Sequence, residues 1–570
     1  MHPRVRPLNR LAPLMCVLMI LPAGAAAQEA PRATTLAGRS AVYAPNGAIA
    51  TSQTLASAAG LEVLQKGGNA FDAAVAAAAV LNVVEPHMTG IGGDMFALVW
   101  SAEDQRLYGL NASGRSGALM TRAELVRRER RGIGGVEAVT VPGAVSGWHA
   151  LLERFGTRTL AEVLQPAIRT ARDGFPVSPI IAGQWANLEN KLRRNDAAAA
   201  TFLVDGERAP RAGEWFTNPD LAETFRQLAL HGPDHLYGGP LGERVAAHVQ
   251  ELGGFLTPAD FATHKPFWVE PISVPYRGYR LWELPPNNQG IAALEMLRIL
   301  EDYDLAAMGH NSAAYLHHLI EAKKLAYADL NRYVADPAHL DIDPLTLLSD
   351  DFIRTRRALL DPRGAAERVD PGDAFTATET IYLSVSDAQG NMVSFINSVF
   401  DYFGSGVVVP GTGMIMQDRG SGFTMREDMP NTVAPGKLPF HTLVPAFVTR
   451  TSNPEGASTE SAGEEPWLAF GVMGGAMQPQ GHVQVLLNLL VFGMDVQEAI
   501  DAPRFRHMSG LRVGLETPIG DEVRAALEAL GHELADEANI AFGGAQAVMK
   551  LERGWAAGSD PRKDGSAIGH

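Results

Sequence analysis

Hydrophobic residues follow a helical period through much of the first two-thirds of the chain. Residues 56–84 show it first, and Gly67, Gly68 and Asn69 divide this pattern into two helices. The second helix, residues 70–84, is rich in alanine and apolar on all sides, which predicts a buried and closely packed helix. Residues 89–100 pass from a glycine turn into a strand. Further helical patterns cover residues 141–156, 160–173, 218–231, 240–252, 311–337 and 350–360.

After residue 380 the pattern changes to short strand-like runs separated by Gly, Asp and Asn turns. These runs are residues 381–387, 391–399, 404–410, 413–418, 442–450 and 467–473. Polar, low-complexity residues 451–466 predict a surface loop, and helical patterns return at 482–493 and 521–530. The pattern predicts an α+β protein with helices packed on sheets and with its strands concentrated after residue 380.

Thr380 stands where these two patterns meet. Residues 367–379 are polar, contain Pro and Gly, and predict an exposed connector that includes Thr376 and Thr378. In the strand after Thr380, Ile381, Leu383 and Val385 face one way and the residues between them face the other. If the bond before Thr380 were cut, this residue would have a hydroxyl and a free α-amine with a pKa near 8 to act as its base. A plain threonine at the start of a strand is the alternative that this stretch leaves open.

A second candidate is the glycine pair in GVMGGAMQPQGH, residues 471–482, which follows a strand and opens a helix. Paired glycines allow backbone N–H groups to approach a ligand, and a helix N-terminus favours negative charge. Gly474 and Gly475 are therefore candidates for an oxyanion hole. A tight turn between strand and helix is the alternative on spacing alone.

Composition and charge exclude some classes of partner and of catalysis. The net charge of −16 argues against nucleic acid as the main partner. Residues 1–27 combine a basic start, a short apolar segment and an Ala-x-Ala site, which predicts a signal peptide and a periplasmic or secreted protein without a membrane span in its mature form. An N-terminal anchor helix is the alternative. The single cysteine, Cys16, lies in this segment, so covalent catalysis in the mature chain must use oxygen or nitrogen.

Ordered motifs along the chain resemble those of the γ-glutamyltransferase (glutathione hydrolase) family of N-terminal-nucleophile hydrolases. The motifs that carry this resemblance are GGNAFDAAVA (67–76), EPHMTGIGGDMF (85–96), VPGAVSGW (141–148), PPNNQG (285–290), ETIYLSVSDAQGN (379–391), FGSGVVVPGTGMIMQDRG (403–420), GVMGGAMQPQGH (471–482) and DAPRFRH (501–507). They extend over nearly all of the chain after the predicted signal peptide.

The resemblance implies a precursor that cleaves itself between Glu379 and Thr380. It implies a large subunit of residues 28–379, a small subunit of residues 380–570, and a four-layer αββα sandwich formed jointly by the two. In this family Thr380 is the nucleophile, Ser398 supports its oxygen, and Gly474 and Gly475 form the oxyanion hole. Neither a metal nor an organic cofactor is expected.

The residues that bind the acyl group depart from the family pattern. The family's arginine falls on Ser113, with Arg115 two residues on, and its asparagine, glutamine and aspartate fall on Phe400, Arg419 and Gly422. A serine pair becomes His441 and Thr442. We expect Arg115, Arg419, His441 and Thr442 to bind substrate, because arginine suits carboxylates and the partner for an α-ammonium is missing.

The implied activity is the cleavage of γ-glutamyl amides such as glutathione through a threonyl ester. Its partners are a γ-glutamyl or dicarboxylic amide and, as acceptor, water or an amino acid or peptide. Residues 423–439 are shorter than in members with a lid loop, which favours hydrolysis. The alternatives are a glutaryl or cephalosporin type of amide acylase and a homologue that binds acylated compounds without turnover.

Overall fold

The computed structural model describes residues 38–340, 342–369, 380–451 and 463–570. Its strands are β1 (Val42–Ala44), β2 (Ala48–Thr51), β3 (Asp94–Ser101), β4 (Arg106–Ala112), β5 (Phe175–Pro176), β6 (Trp215–Phe216), β7 (Phe267–Val269), β8 (Ile272–Tyr276), β9 (Tyr279–Glu283), β10 (Ile381–Ser386), β11 (Met392–Ser398), β12 (Val408–Val409), β13 (Met414–Ile415), β14 (Ala446–Thr451), β15 (Glu464–Met473), β16 (Phe505–His507), β17 (Arg512–Leu515), β18 (Glu533–Ala535), β19 (Gly544–Lys550), β20 (Trp555–Ser559) and β21 (Ser566–Gly569).

The α-helices of the described residues are α1 (Thr54–Gln65), α2 (Ala70–Val84), α3 (Arg122–Arg127), α4 (Ala144–Phe155), α5 (Leu160–Val163), α6 (Gln165–Asp173), α7 (Pro179–Ala186), α8 (Glu189–Leu192), α9 (Asp196–Phe202), α10 (Pro219–His231), α11 (Pro240–Glu251), α12 (Pro258–Thr263), α13 (Gly290–Leu300), α14 (Leu305–Met308), α15 (Ala313–Tyr333), α16 (Asp350–Arg357), α17 (Gln478–Leu490), α18 (Val496–Asp501) and α19 (Asp521–Ala529). Among them, none combines the length and the apolar character that crossing a membrane requires.

Two antiparallel seven-stranded sheets form the centre of the fold. The first has the order β1-β20-β19-β15-β14-β9-β8 and the second the order β21-β2-β10-β11-β3-β4-β7. The sheets face each other, with β10 packed on β15 and β19. Helices α13, α17 and α18 cover the first sheet, and α1, α2 and α4 cover the second. These four layers confirm the predicted α+β class and αββα arrangement.

The break between α1 and α2 confirms the predicted division of this helical pattern. Asn69 caps α2: its side chain accepts hydrogen bonds from the N–H groups of Phe71 and Asp72, and the Asp72 side chain accepts from the Asn69 N–H. Every residue of α2 is buried. Alanine side chains allow this helix to lie close to β10 and β11, the strands beside the predicted nucleophile.

Among the described residues the strands are concentrated after residue 380, as predicted: β10–β21 lie in the last third of the chain, and β1–β9 are spread over the first two-thirds. Half the strands of the two main sheets nevertheless precede residue 380, and short ones such as β1, β2 and β7 were not predicted because three or four residues show no clear alternation. One prediction about the helices is wrong. The helical pattern of residues 160–173 divides at Leu164, because Pro166 starts a new helix. The predicted loop at 451–466 lies mostly outside the described residues, as do the signal peptide and residues 370–379.

A buried ionic network stabilises the C-terminal strands. The Asp560 carboxylate lies 2.8 Å from Arg504 and 3.0 Å from Arg562, and it accepts a hydrogen bond from the Ala545 N–H. Burial alone would raise the pKa of Asp560, but the two arginines outweigh it and lower the pKa to about 2. Because the folded pKa is depressed, the stabilisation is present at neutral pH and is lost as the pH falls from about 4 towards 2.

Replacing Asp560 with alanine should therefore lower the free energy of unfolding at neutral pH by about 3–5 kcal/mol, because the buried Arg504 loses its carboxylate partner and Arg562 keeps only Glu516. Urea denaturation measures this change. The control is Asp351→Ala, which removes an exposed partner of Arg354 and should cost less than about 1 kcal/mol. Equal effects of the two substitutions would contradict a stabilising role for the network.

Candidate active site

Thr380 lies directly before β10, a strand held on both sides by neighbouring strands. Ile381 pairs with Asn397 of β11, so the antiparallel register brings Thr380 next to Ser398. On the other edge, β10 pairs with β2. Thr380 is fully buried, and its Oγ1 has no hydrogen-bond partner among the described residues. A buried hydroxyl without a partner requires an explanation, and a catalytic role for Thr380 supplies one.

The contact between the two sheets brings the glycine turn, Gly474–Gly475, towards Thr380. The Ser384 hydroxyl donates to the Ala469 carbonyl at 3.0 Å, and a side chain at Gly471 would lie 2.5 Å from the Tyr382 ring. Ser384 thus faces Ala469 and Tyr382 faces Gly471, so moving two residues back along β10 corresponds to moving two residues forward along β15. The next step places Thr380 beside Met473, immediately before the glycine turn.

The glycine turn has a backbone that favours glycine. The φ angles of Gly474 and Gly475 are +124° and +56°, in the region that residues with a side chain rarely adopt. A 3₁₀ turn, Gly475–Met477, follows and leads into α17. The turn joins a strand to a helix as predicted, and its N–H groups lie near a helix N-terminus, where negative charge is favoured.

Gln289 fixes the glycine turn from the other side. Its Nε2 donates to the carbonyls of Gly475 at 2.7 Å and Thr442 at 2.8 Å. The neighbouring Asn287 donates to Pro439 O at 2.7 Å and accepts from the His441 N–H at 2.8 Å. The motif PPNNQG therefore holds both the turn and residues 439–442. The motif contributes to the family resemblance of the sequence, but Asn287 and Gln289 were not predicted to belong to the site.

Four side chains, which we call the Arg419 cluster, meet near the end of β11: Asp94, Arg419, His441 and Thr442. Asp94 Oδ2 lies 3.6 Å from Arg419 Nε and 3.4 Å from His441 Nε2, and Arg419 Nη1 donates to Thr442 Oγ1 at 3.3 Å. All four are buried. The structure thus brings together three of the four predicted substrate-binding residues and adds Asp94, which sequence reasoning missed.

Phe400 connects this cluster to Ser398. The Phe400 N–H donates to Ser398 Oγ at 2.8 Å, and the Arg419 guanidinium lies 4.4 Å from the centre of the Phe400 ring. Phe400 has a φ of +80°, an uncommon conformation for a residue with a bulky side chain and one that concentrates at functional sites. The chain of contacts therefore runs from Ser398, beside Thr380, to the Arg419 guanidinium.

Burial sets the protonation of two members of the cluster. Burial lowers the pKa of Arg419 to about 10, which leaves it protonated. Burial, and then the neighbouring Arg419, lower the pKa of His441 to about 4, which leaves it neutral. Arg419 Nη2 and Asp94 Oδ2 have no hydrogen-bond partner among the described residues. The cluster therefore offers a ligand one cationic donor and one anionic acceptor.

Arg115 lies apart from the Arg419 cluster. Its side chain is half exposed, and its Nη1 lies 3.3 Å from Asp336 Oδ2 and donates to Gly436 O at 3.0 Å. Ser113, where the family's arginine aligns, is buried and accepts from the Asn287 side chain at 3.4 Å. A role for Arg115 in substrate binding stays a prediction.

One further group of side chains in the described residues has the composition of a metal site. Ligand atoms of His317, Glu321 and His532 lie within 4.8 Å of one another. Their contacts are satisfied internally: the two imidazoles are 2.8 Å apart, and Lys324 pairs with Glu321 at 2.7 Å. They neither contact Thr380 nor belong to the Arg419 cluster.

Comparison with known proteins covers most of this chain. A sequence model of the family described as Gamma-glutamyltranspeptidase matches residues 56–570. The Glutathione hydrolase-like YwrD proenzyme of Bacillus subtilis is 38% identical, over 90% of this chain and 97% of its own. Oxamate amidohydrolase proenzyme of Klebsiella pneumoniae is 36% identical over the same shares. The crystal structure of cephalosporin acylase from Bacillus halodurans superposes with a TM-score of 0.87 at 38% identity, covering 95% of this chain and 99% of that one.

Proposed function

This chain belongs to the gamma-glutamyltranspeptidase family of enzymes, and on that premise we propose that it is a self-cleaving amidohydrolase for amides whose acyl group carries a carboxylate. Thr380 is its nucleophile and Arg419 binds the acyl carboxylate. The observation that carries the proposal is the run of contacts from Thr380 through Ser398 and Phe400 to a buried guanidinium with an unpartnered Nη2.

Maturation and catalysis use the same oxygen. In the precursor, Thr380 Oγ attacks the Glu379 carbonyl, and the peptide C–N bond breaks and frees the α-amine of Thr380. Water then hydrolyses the resulting ester, which leaves the Glu379 carboxylate and the free Thr380 hydroxyl. In catalysis, this amine takes the proton from Oγ as Oγ attacks the substrate amide. The amine product leaves with a proton, and water then cleaves the threonyl ester. The N–H groups of Gly474 and Gly475 stabilise the oxyanion in both stages.

The acyl preference follows from the chemistry of the Arg419 cluster. A planar guanidinium is matched to a carboxylate, and its burial strengthens the interaction. Where the family's aspartate aligns, Gly422 offers only its backbone, and its carbonyl accepts from Asn431. Two relatives support this choice, since one is named for oxamate, the monoamide of a dicarboxylic acid, and another is named a cephalosporin acylase.

A second candidate is hydrolysis of γ-glutamyl amides such as glutathione. Asp94 Oδ2 favours it, because this buried oxygen has no hydrogen-bond partner among the described residues and can accept from an α-ammonium. The relative named glutathione hydrolase-like also supports it. Arg419, however, lies 3.6 Å from the same oxygen and would repel an incoming ammonium. The dicarboxylic substrate is therefore the better supported of the two.

Two substrates that differ only in the α-amine separate these candidates. Glutaryl-p-nitroanilide should be hydrolysed with a kcat/KM about tenfold or more above that of γ-glutamyl-p-nitroanilide, since a buried ammonium near Arg419 costs at least about 1.4 kcal/mol. Release of nitroaniline measures both rates. A preference for the γ-glutamyl compound would overturn the dicarboxylic substrate and leave the role of Thr380 intact.

Water is the acceptor in this proposal, and amino acids or peptides are the competing acceptors. The short segment 423–439 supports hydrolysis, because a site without a covering loop admits water.

The signal-like residues 1–27 support export to the periplasm or the medium. Two subunits, residues 28–379 and 380–570, result from the cleavage.

A further inference from the structure

A cavity of about 460 Å³, open to solvent, lies next to the residues that flank and hold the glycine turn. Gln289, which holds the Gly475 carbonyl, lines this cavity, and so does Ala476, the residue after the turn. Tyr327 of α15 also lines it and donates from its hydroxyl to Ala476 O at 2.6 Å. A molecule in this cavity therefore contacts the residue that follows the glycine turn and the side chain that holds the turn in place.

The cavity is also lined by a buried lysine. Lys323 of α15 is 3% exposed, and its Nζ lies 4.0 Å from the centre of the Tyr327 ring. Its Nζ donates to His507 Nδ1 at 2.9 Å. His507 donates from Nε2 to Gly510 O at 2.9 Å, which leaves Nδ1 as an acceptor and the imidazole neutral. His507 therefore orients the ammonium without neutralising it.

Lys323 has no carboxylate partner among the described residues. The adjacent Lys324, in contrast, forms an ion pair with Glu321 at 2.7 Å. Glu367 and Arg368 are exposed at the rim of the cavity and carry opposite charges. Burial, with the added repulsion of Arg506 and Lys324, lowers the pKa of Lys323 to about 7. A buried ammonium is normally paired, so this one lacks the anion that would stabilise its charged form.

We propose that this cavity binds the amine half of the substrate through a carboxylate, and that Lys323 is the residue that selects for this carboxylate. The inference rests on the proposed function, in which an acyl group is transferred from an amine at Thr380. The leaving group of an amide must lie near the oxyanion hole, and this cavity is lined by Ala476, which follows the two glycines, and by Gln289, which holds the Gly475 carbonyl. Suitable amine halves are amino acids, peptides and carboxylated aromatic amines.

Two chromogenic amides that share the same acyl group and differ only in their amine test whether Lys323 selects for a carboxylate. One releases p-nitroaniline, and the other releases 3-carboxy-4-nitroaniline, which adds a single carboxylate. The wild-type enzyme should prefer the carboxylated amide, and Lys323→Met should lower the ratio of the two kcat/KM values about tenfold or more, because a charge-assisted hydrogen bond is lost. The ratio does not depend on how much of the variant folds, because both amides measure the same enzyme.

Lys66→Met is the matched control. This lysine is exposed and pairs with Glu62 on the surface, so its loss should leave the ratio unchanged. An unchanged ratio in Lys323→Met, or an equal drop in Lys66→Met, would overturn the proposal.

Binding of the two free amines separates this inference from the proposed function. If the wild-type protein hydrolyses neither amide, calorimetry with 3-carboxy-4-nitroaniline and p-nitroaniline still tests the cavity. The carboxylated amine should bind more tightly, and Lys323→Met should weaken it about tenfold or more. Equal affinities for the two amines, or no effect of the substitution, would contradict a carboxylate site at Lys323.

Discussion

Thr380→Ala should be recovered as one uncut chain with no amidase activity, whereas the wild-type protein should be recovered as two fragments. The hydroxyl is both the group that opens the bond before residue 380 and the group that forms the acyl ester. Loss of a covalent nucleophile should lower kcat by on the order of 10⁴-fold or more. A denaturing gel measures the cleavage, and release of nitroaniline measures the activity.

Two variants make this result specific. Thr380→Ser keeps the hydroxyl and should still cleave itself, at a reduced rate. Thr378→Ala removes a neighbouring threonine, which lies outside the described residues, and should be cut as completely as the wild type. Cleavage of Thr380→Ala into the same two fragments would contradict the assignment of the nucleophile. An uncut wild-type chain would favour a binding homologue.

Arg419→Gln should lower the kcat/KM for glutaryl-p-nitroanilide about 100-fold, because the acyl carboxylate loses its cationic partner in a buried site. Butyryl-p-nitroanilide, which is the glutaryl compound with a hydrogen in place of the carboxylate, should be affected far less. The ratio of the two kcat/KM values is therefore the informative measurement. A ratio equal to that of the wild type would contradict carboxylate binding by Arg419.

The stability of this variant needs its own control. Removing the guanidinium leaves the buried Asp94 unpaired, which should destabilise the protein by about 3–5 kcal/mol. The double variant Arg419→Gln with Asp94→Asn removes both charges and should recover most of that stability. It should not recover the glutaryl preference. Recovery of both would assign Arg419 a structural role only.

Local patterns predicted the elements that local chemistry determines. Gly67, Gly68 and Asn69 predict the break between α1 and α2, which the Asn69 capping box confirms. The alternation after Thr380 predicts β10. The short strands were not predicted, because three residues are too few to show a period of hydrophobic and polar positions. Strand β1 pairs with β20 near the other end of the chain, so only the tertiary fold reveals it.

The site residues also fall into those that a local motif reveals and those that only the tertiary fold brings together. Thr380 and Gly474–Gly475 stand out by motif, because a strand start and a glycine pair are local features. The Arg419 cluster does not, because Asp94 is more than 300 residues from Arg419 along the chain and meets it where the backbone of Met416 and Gln417 pairs with Gly92. Lys323 and His507 are likewise brought together by helix and sheet packing. Burial, which gives these charges their significance, cannot be read from residue types alone.

N-terminal sequencing of the smaller fragment of the purified wild-type protein shows directly whether Thr380 becomes a new N-terminus. We expect a single sequence that begins Thr-Ile-Tyr-Leu-Ser, starting at Thr380. That result would establish the free α-amine and the hydroxyl on one residue, at the end of a strand beside the glycine turn. A fragment that starts at any other residue, or a chain that is never cut, would contradict it.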